Sequence, residues 1–497
     1  MKRLFNSRAV WFFLGIVFFL FFLFFYYRHP MIPYEGDDWY QMLINRYPFP
    51  YPTSYNPTKV LPETLYPLSV CAARYVLMPV LHFLTQETDN SVLFLNSLQM
   101  GNALMISLLI VLYSYAFIVF CERKLKIKES GSFLLCLIFL FFHLMFFCQK
   151  NGEFIHLFND GGPNCSYNYV FPALWNGTAV LLLISYEQNT IAWFLKKHSI
   201  LGGTVFLGIY LAVYSNVLSS IVLAAWCVFE IIGSCFSRKK IKEIIKTNSI
   251  AITILIMWLI SLVFEASGPR AMTIGNNASL FSLPYKVSLD FYTDALKTVN
   301  KGYAFLALLA VISGILAAVK GRETHIFKIL ADFVCGYIIT ILFHIVITAK
   351  AGPQYISRSG VLISSFFYVF LIIFVCLSVL IRKIKYAELL VPFTLFCLPL
   401  IVMKSDSRMT DARNETYANH RLVTLDIMHQ IERASSEYKE TAEITVPYWE
   451  GDDNYPHPVS DGMIAEVMYQ FNVIDYPVKA VYVPSENYSK IYHLIGE

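Results

Sequence analysis

Apolar residues run through this chain in blocks of about twenty, the number a helix needs to cross a hydrocarbon core. Such blocks lie near 9–27, 91–120, 131–148, 168–186, 248–264, 302–319, 328–348, 360–381 and 387–403. The stretch 199–236 is too long for one crossing. Tyr214-Ser215-Asn216 interrupts it, which predicts two helices around a tight turn. About eleven transmembrane helices are therefore expected in an all-α polytopic membrane protein. The first block, AVWFFLGIVFFLFFLFFYY, exceeds a signal-peptide core and ends in bulky aromatics, so a retained first helix is expected.

The polar stretches between the blocks fall into two kinds. With the N-terminus inside, the inner segments 1–8, 121–130, 186–199, 237–247, 320–328 and 381–386 hold 20 Lys and Arg in 58 residues. The outer segments 28–90, 149–167, 214–216, 265–301 and 349–358 hold 11 in 132. Positive charge favours the cytoplasmic side, so the chain reads N-in and, after eleven crossings, C-out. The outer segments are long and rich in Asp, Asn, Gly, Pro and Tyr. In the first outer loop, 28–90, ETLYPLSVCAARYVLMPVLHFL reads as amphipathic helix lying in the interface rather than crossing.

Residues 1–403 thus form the membrane domain, and 404–497 read as a different material. This tail holds 8 Lys and Arg against 16 Asp and Glu. Its pattern predicts helix (414–438), strand (443–449), helix (461–470) and strand (479–484), a small α/β domain on the outer side.

Composition adds the exclusions. The mean hydropathy is +0.53 and charged residues make up 15%, well below a soluble domain. The 10 cysteines show no CxxC spacing; most lie in the apolar blocks, while Cys71 and Cys165 fall in loops. Walker, GxGxxG, HExxH and GxSxG motifs are absent, so nucleotide binding and the common hydrolases are unsupported, and no nucleic-acid partner is expected.

Three outer features can carry chemistry. Glu35-Gly36-Asp37-Asp38-Trp39-Tyr40 follows the first block by about ten residues and puts three carboxylates in four positions. Repelling carboxylates suit a general base or a metal; a solvated loop with an Asp capping the next helix is the plainer account. The second outer loop carries Glu153, His156, Asn159, Asp160, Asn164, Tyr167, Asn168 and Tyr169, amides and aromatics that match the rim and the apolar face of a sugar; an interfacial aromatic belt is the alternative. Ser267-Gly268-Pro269-Arg270 and Ala351-Gly352-Pro353 to Arg358, with Lys350 beside the latter, place cations outside. They suit a phosphate or, more plainly, lipid headgroups.

This layout resembles the C superfamily of glycosyltransferases, multi-span enzymes that take sugar from a polyprenyl- or dolichyl-phosphate carrier. Its members carry an acidic motif in the first outer loop, where Asp37-Asp38 stand here. More narrowly, the chain is similar to bacterial enzymes that decorate O-antigen or other surface polysaccharide from undecaprenyl-phosphate-linked sugar. The resemblance implies Asp37 or Asp38 as the catalytic base and Arg270, Lys350 and Arg358 as contacts to the donor phosphate. Glu35, Tyr40, His156, Asn159, Asp160, Tyr167 and Asn168 are then the expected substrate contacts. It implies inverting transfer to a glycan or lipid-linked acceptor at the outer face of the bacterial inner membrane. No metal is required, although a divalent ion near the carboxylates is allowed. An O-antigen polymerase and a flippase-type transporter are the competing readings; for the latter, Asp332 and His344 are the titratable residues within a span.

Overall fold

Asn216 ends the break in the long apolar run by capping the helix that follows: its side-chain oxygen accepts the Leu218 N–H at 2.9 Å. The run is two helices, Ser199–Val213 and Val217–Cys235, as its pattern predicts. The computed structural model describes residues 8–28, 32–33, 36–44, 59–148, 154–155, 157–158, 162–186, 188, 197–236, 240–267, 285–382, 417–448 and 462–492. Within them the elements run α1 Arg8–Arg28, α2 Gly36–Ile44, α3 Val60–Thr85, α4 Asn90–Arg123 and α5 Glu129–Met145. The hairpin β1 Phe147–Cys148 and β2 Phe154–Ile155 follows, then α6 Pro163–Ser185, α7 Ser199–Val213 and α8 Val217–Cys235. Next come α9 Ile241–Thr247, α10 Ser249–Ser267, α11 Tyr285–Lys297, α12 Lys301–Gly321, α13 Thr324–Ala351 and α14 Ser359–Ile381. The tail holds α15 Tyr417–Ser436, β3 Thr441–Pro447, α16 Met463–Gln470, β4 Lys479–Ser485 and α17 Glu486–Ile491.

The chain is a helical, multi-pass membrane protein. Among the described residues, 8 helices are long and apolar enough to cross, and Phe12–Tyr27, Glu129–Met145 and Gly202–Val213 are shorter apolar helices. The block at 387–403 lies outside the described residues, so the expected count of eleven is matched only in part.

One of those 8 helices, α3, does not match its expected role by length alone. Its 26 residues and its composition would permit a crossing. Its connections argue otherwise. The Leu61 N–H donates to the Tyr214 carbonyl, in the turn between α7 and α8. From its other end four residues lead to Asn90, where Asp89 caps α4 by accepting the Val92 N–H at 2.9 Å. The Gln99 amide in that first part of α4 donates to the Tyr27 carbonyl at the end of α1. Both ends of α3 are therefore held at one end of the bundle, and Leu68, Tyr75, Val76, Val80 and Phe83 stay exposed along one side. That is the geometry of a helix lying in an interface.

The bundle is organised around α14, most of whose side chains are buried. Apolar side chains gain nothing from leaving lipid for one another, so close approach and packing hold such helices together. Gly314 of α12, Gly336 of α13 and Gly360 of α14 itself provide the approach. A Cβ would fall 2.5 Å from Cys376 Cβ at the first, 2.9 Å from the Tyr368 ring at the second, and 2.3 Å from the Tyr169 carbonyl carbon at the third. Aromatic rings fill the remaining space: Phe117 stacks on Phe139 at 4.1 Å, with Phe374 edge-on to both.

Successive crossing helices run in opposite directions, so two ends can be told apart. At one end the short connections carry the basic residues; there Arg382 pairs with Glu323, and Arg123 lies 4.3 Å over the Tyr186 ring. At the other end lie α2, α3, the hairpin, the start of α6, the turn at Tyr214, α11 and the segment 352–358.

The tail docks at this second end. Its β3 and β4 pair in parallel, Thr441 opposite Lys479 through Pro447 opposite Ser485, with α16 in the connection. The Arg74 guanidinium of α3 donates to the Phe471 and Asn472 carbonyls, and Phe94 of α4 stacks on Phe471 at 5.9 Å. Arg421 of α15 donates to the Asn96 side chain at 2.7 Å. Burial lowers the pKa of that guanidinium, the electrostatic cost of the docked position.

Candidate functional site

Two prolines shape the polar end. In a regular helix the N–H of residue i bonds the carbonyl of i−4, and proline has no N–H. Pro172 therefore leaves the Asn168 carbonyl without its helical partner. The turn just before it, Ser166–Val170, is widened to π geometry, and Asn168 accepts the Asn216 amide at 2.7 Å instead. In α3 the same device recurs, a π turn at Ala73–Leu77 ahead of Pro79.

Asp38 sits where α6 begins. It is 1% exposed, and its carboxylate accepts the Asn164 N–H at 2.7 Å. The first N–H groups of a helix have no internal acceptor and attract negative charge. Pro163 occupies the first turn, where its missing N–H costs nothing. Gly162 makes room: a Cβ there would lie 2.4 Å from a carboxylate oxygen of Asp38. The Tyr66 hydroxyl donates to the Asp38 carbonyl at 3.2 Å, and Trp39 is buried beside it. Asp38 thus ties the first polar segment to the second. Its neighbour Asp37 belongs to the same first turn of α2, and its side chain lies outside the described residues.

From Asp38 a line of amides leads across the end of the bundle. Asn164 donates its N–H to Asp38, and its carbonyl accepts from the Asn168 amide at 2.9 Å; the Asn168 carbonyl in turn accepts from Asn216. Asn216 borders a cleft whose other polar walls are Lys59, Tyr169, Glu265, Lys350 and Tyr355. Six segments converge here, and Gly352 makes the turn that delivers one of them. It stands at φ +140 beyond the end of α13, a region where a Cβ is strained.

Arg358 stands behind this cleft. Its guanidinium lies 5.2 Å from the Tyr169 ring and 5.4 Å from the Tyr355 ring, and Nη1 is 3.0 Å from Cys165 Sγ. Stacking on aromatic faces holds a planar cation in one orientation. Among the described residues, neither Cys165 nor Cys71 forms a disulfide.

The structure brings together part of the expected set. Asp38, Asn168, Lys350 and Arg358 lie along the route just described. Tyr40 is exposed on α2. Tyr167 is fully buried, against Tyr66 at 4.7 Å and Phe171 at 4.3 Å, with its hydroxyl donating to Asn102 at 3.2 Å; its place is in the packing. Glu35, His156, Asn159, Asp160 and Arg270 lie outside the described residues. Lys59, Asn216 and Glu265 were not expected here. Only Asn216 had a signal, the Asn168-to-Pro172 spacing that frees a carbonyl for it.

His344, a titratable residue within a span, is engaged on both ring nitrogens. Nδ1 lies 2.8 Å from Ser365 Oγ and Nε2 2.7 Å from the Leu218 carbonyl, so it joins α13, α14 and α8. A residue fixed on both sides is a strut. A further donor set escaped the sequence: Asp89, His429 and Glu432 present ligand atoms within 4.8 Å of one another. No family model, curated protein or solved structure matches this chain, so its own residues carry the functional argument.

Proposed function

We propose that this protein is a membrane glycosyltransferase. It moves a sugar from a polyprenyl-phosphate carrier to a glycan or lipid-linked acceptor at the outer face of the bacterial cytoplasmic membrane. The observation that carries this reading is the cleft at the polar end of the bundle. Lys59 and Lys350 line it, the stacked Arg358 stands behind it, and a line of amides joins it to the segment bearing Asp37 and Asp38. The charge bias of the connecting segments supports that end being outside, where no nucleotide is at hand and a donor must arrive already activated.

In the proposed reaction a carboxylate takes the proton of the acceptor hydroxyl. The oxygen attacks the anomeric carbon, the bond from that carbon to the phosphate oxygen breaks, and the carrier phosphate leaves with the electron pair. A single displacement inverts the anomeric centre. Charge developing on the phosphate is offset by Lys350 and Arg358, with Arg270 the third candidate from the sequence. Asp38 is already committed to the Asn164 N–H, which makes Asp37 the first choice for the base.

Lys350 tests the donor side. Hydrogen bonds to charged groups are worth about 1.5–3 kcal/mol, so Lys350→Ala is expected to raise the KM for a polyprenyl-phosphate-sugar by about 10- to 150-fold. The acceptor KM should stay within a factor of two or so. Transfer from a labelled donor by purified protein in lipid nanodiscs measures both. An unchanged donor KM would remove the cleft from the donor site.

A further inference from the structure

Asp89 and the pair His429 and Glu432 are about 340 positions apart in the chain, yet they meet where the tail docks on the membrane domain. Asp89 ends the connection from α3 to α4. His429 and Glu432 sit three residues apart on α15, which puts them on one face of that helix. His429 Nε2 lies 2.9 Å from Asp89 Oδ2, and donor atoms of all three residues fall within 4.8 Å of one another.

We propose that these residues form a binding site for a divalent transition metal, zinc foremost, that fastens the tail to the membrane domain. The donor set is an imidazole and two carboxylates, which suits zinc in a site that keeps positions for water. His429 and Asp89 are both partly exposed, so water can reach the open side. The ligands are also oriented from behind. Asp89 Oδ1 is held by the Val92 N–H at 2.9 Å, which leaves Oδ2 turned to the imidazole. The Ser91 hydroxyl donates to the Glu432 carboxylate at 2.7 Å. Such outer contacts are what fix metal ligands in place. Zinc bonds of 2.0–2.2 Å in tetrahedral geometry put donor atoms about 3.3 Å apart. The cluster reaches this by opening the His429–Asp89 contact by a few tenths of an ångström and drawing Glu432 in.

The site is separate from the cleft and independent of the transferase reading. Full-length protein in detergent, stripped with a chelator, is titrated with zinc by calorimetry, and metal content is counted after desalting. One zinc per chain is expected. His429→Ala and Glu432→Gln should each weaken binding at least about tenfold; glutamine keeps an acceptor for Ser91 and so preserves the fold. A second readout is hydrogen exchange over 417–448 and the first turns of α4, which zinc should slow in the parent chain and not in His429→Ala. Zinc binding that survives in both variants, or exchange that zinc leaves unchanged, overturns the proposal.

Discussion

Gly360→Leu is expected to yield no monodisperse protein after detergent extraction, and Gly360→Ala to yield less, with an earlier thermal transition. Both outcomes are read by fluorescence-detected size exclusion and a melting series. The added Cβ would meet the Tyr169 carbonyl carbon at 2.3 Å, its oxygen at 2.5 Å and its Cβ at 2.7 Å. Two of those atoms are backbone and cannot rotate away. Overpacking a core with mobile side chains costs about 1–3 kcal/mol, and here α6 and α14 would have to separate. Tyr169 also faces Arg358 and the cleft, so on the proposed function any surviving fraction should show weakened transfer. A Gly360→Leu protein that extracts and melts like the parent would mean that this helix contact is not as close as described.

On the proposed transferase mechanism, Asp37→Asn is expected to lower sugar transfer by about 10²- to 10⁴-fold, the usual contribution of a positioned base, while insertion and melting stay unchanged. Asp38 should behave differently. Asparagine at 38 keeps an oxygen for the Asn164 N–H, so most transfer should remain. Alanine removes the cap, which costs about 0.5–2 kcal/mol, and it leaves a buried N–H unpaired. Asp38→Ala should therefore lower the melting temperature as well as the rate. The split between the asparagine and alanine variants separates a positioning carboxylate from a catalytic one. Loss of transfer in Asp38→Asn, with Asp37→Asn fully active, would exchange the two roles. Full activity in both asparagine variants would end the assignment of a base to this segment.

Hydrophobic periodicity made most of the membrane helices legible, because lipid leaves a spanning chain few alternatives to helix. The tail was legible for another reason: in ITVPYW and KAVYVP the β-branched and aromatic residues cluster between breakers. Two things were less legible. Helix α3 read from its interruptions as an interfacial helix, yet its length and composition also permit a span, and its end contacts, Leu61 to Tyr214 and Asp89 to α4, decide between the two. The polar end was readable only in part. Asp38 and Arg358 stood out as charges on the outer side, but Lys59 and Glu265 join the cleft through distances that no local pattern encodes. The cluster of Asp89, His429 and Glu432 is the extreme case, since ligand spacing is a clue only when the ligands share one stretch of chain.

Helix α3 carries a consequence for how the protein is made. By length and composition this segment could have crossed. If it crossed, every later helix would enter upside down, and the basic connections that follow α4, α8 and α12 would be carried across the membrane. The mature chain excludes that outcome with contacts that form late, among them the Arg74 bonds to Phe471 and Asn472 of the tail. During synthesis the restraint must come sooner. On the orientation expected from the charge bias, the cluster Arg123, Lys124, Lys126 and Lys128, the first dense basic stretch after α3, is placed to anchor the end of α4 before the tail exists.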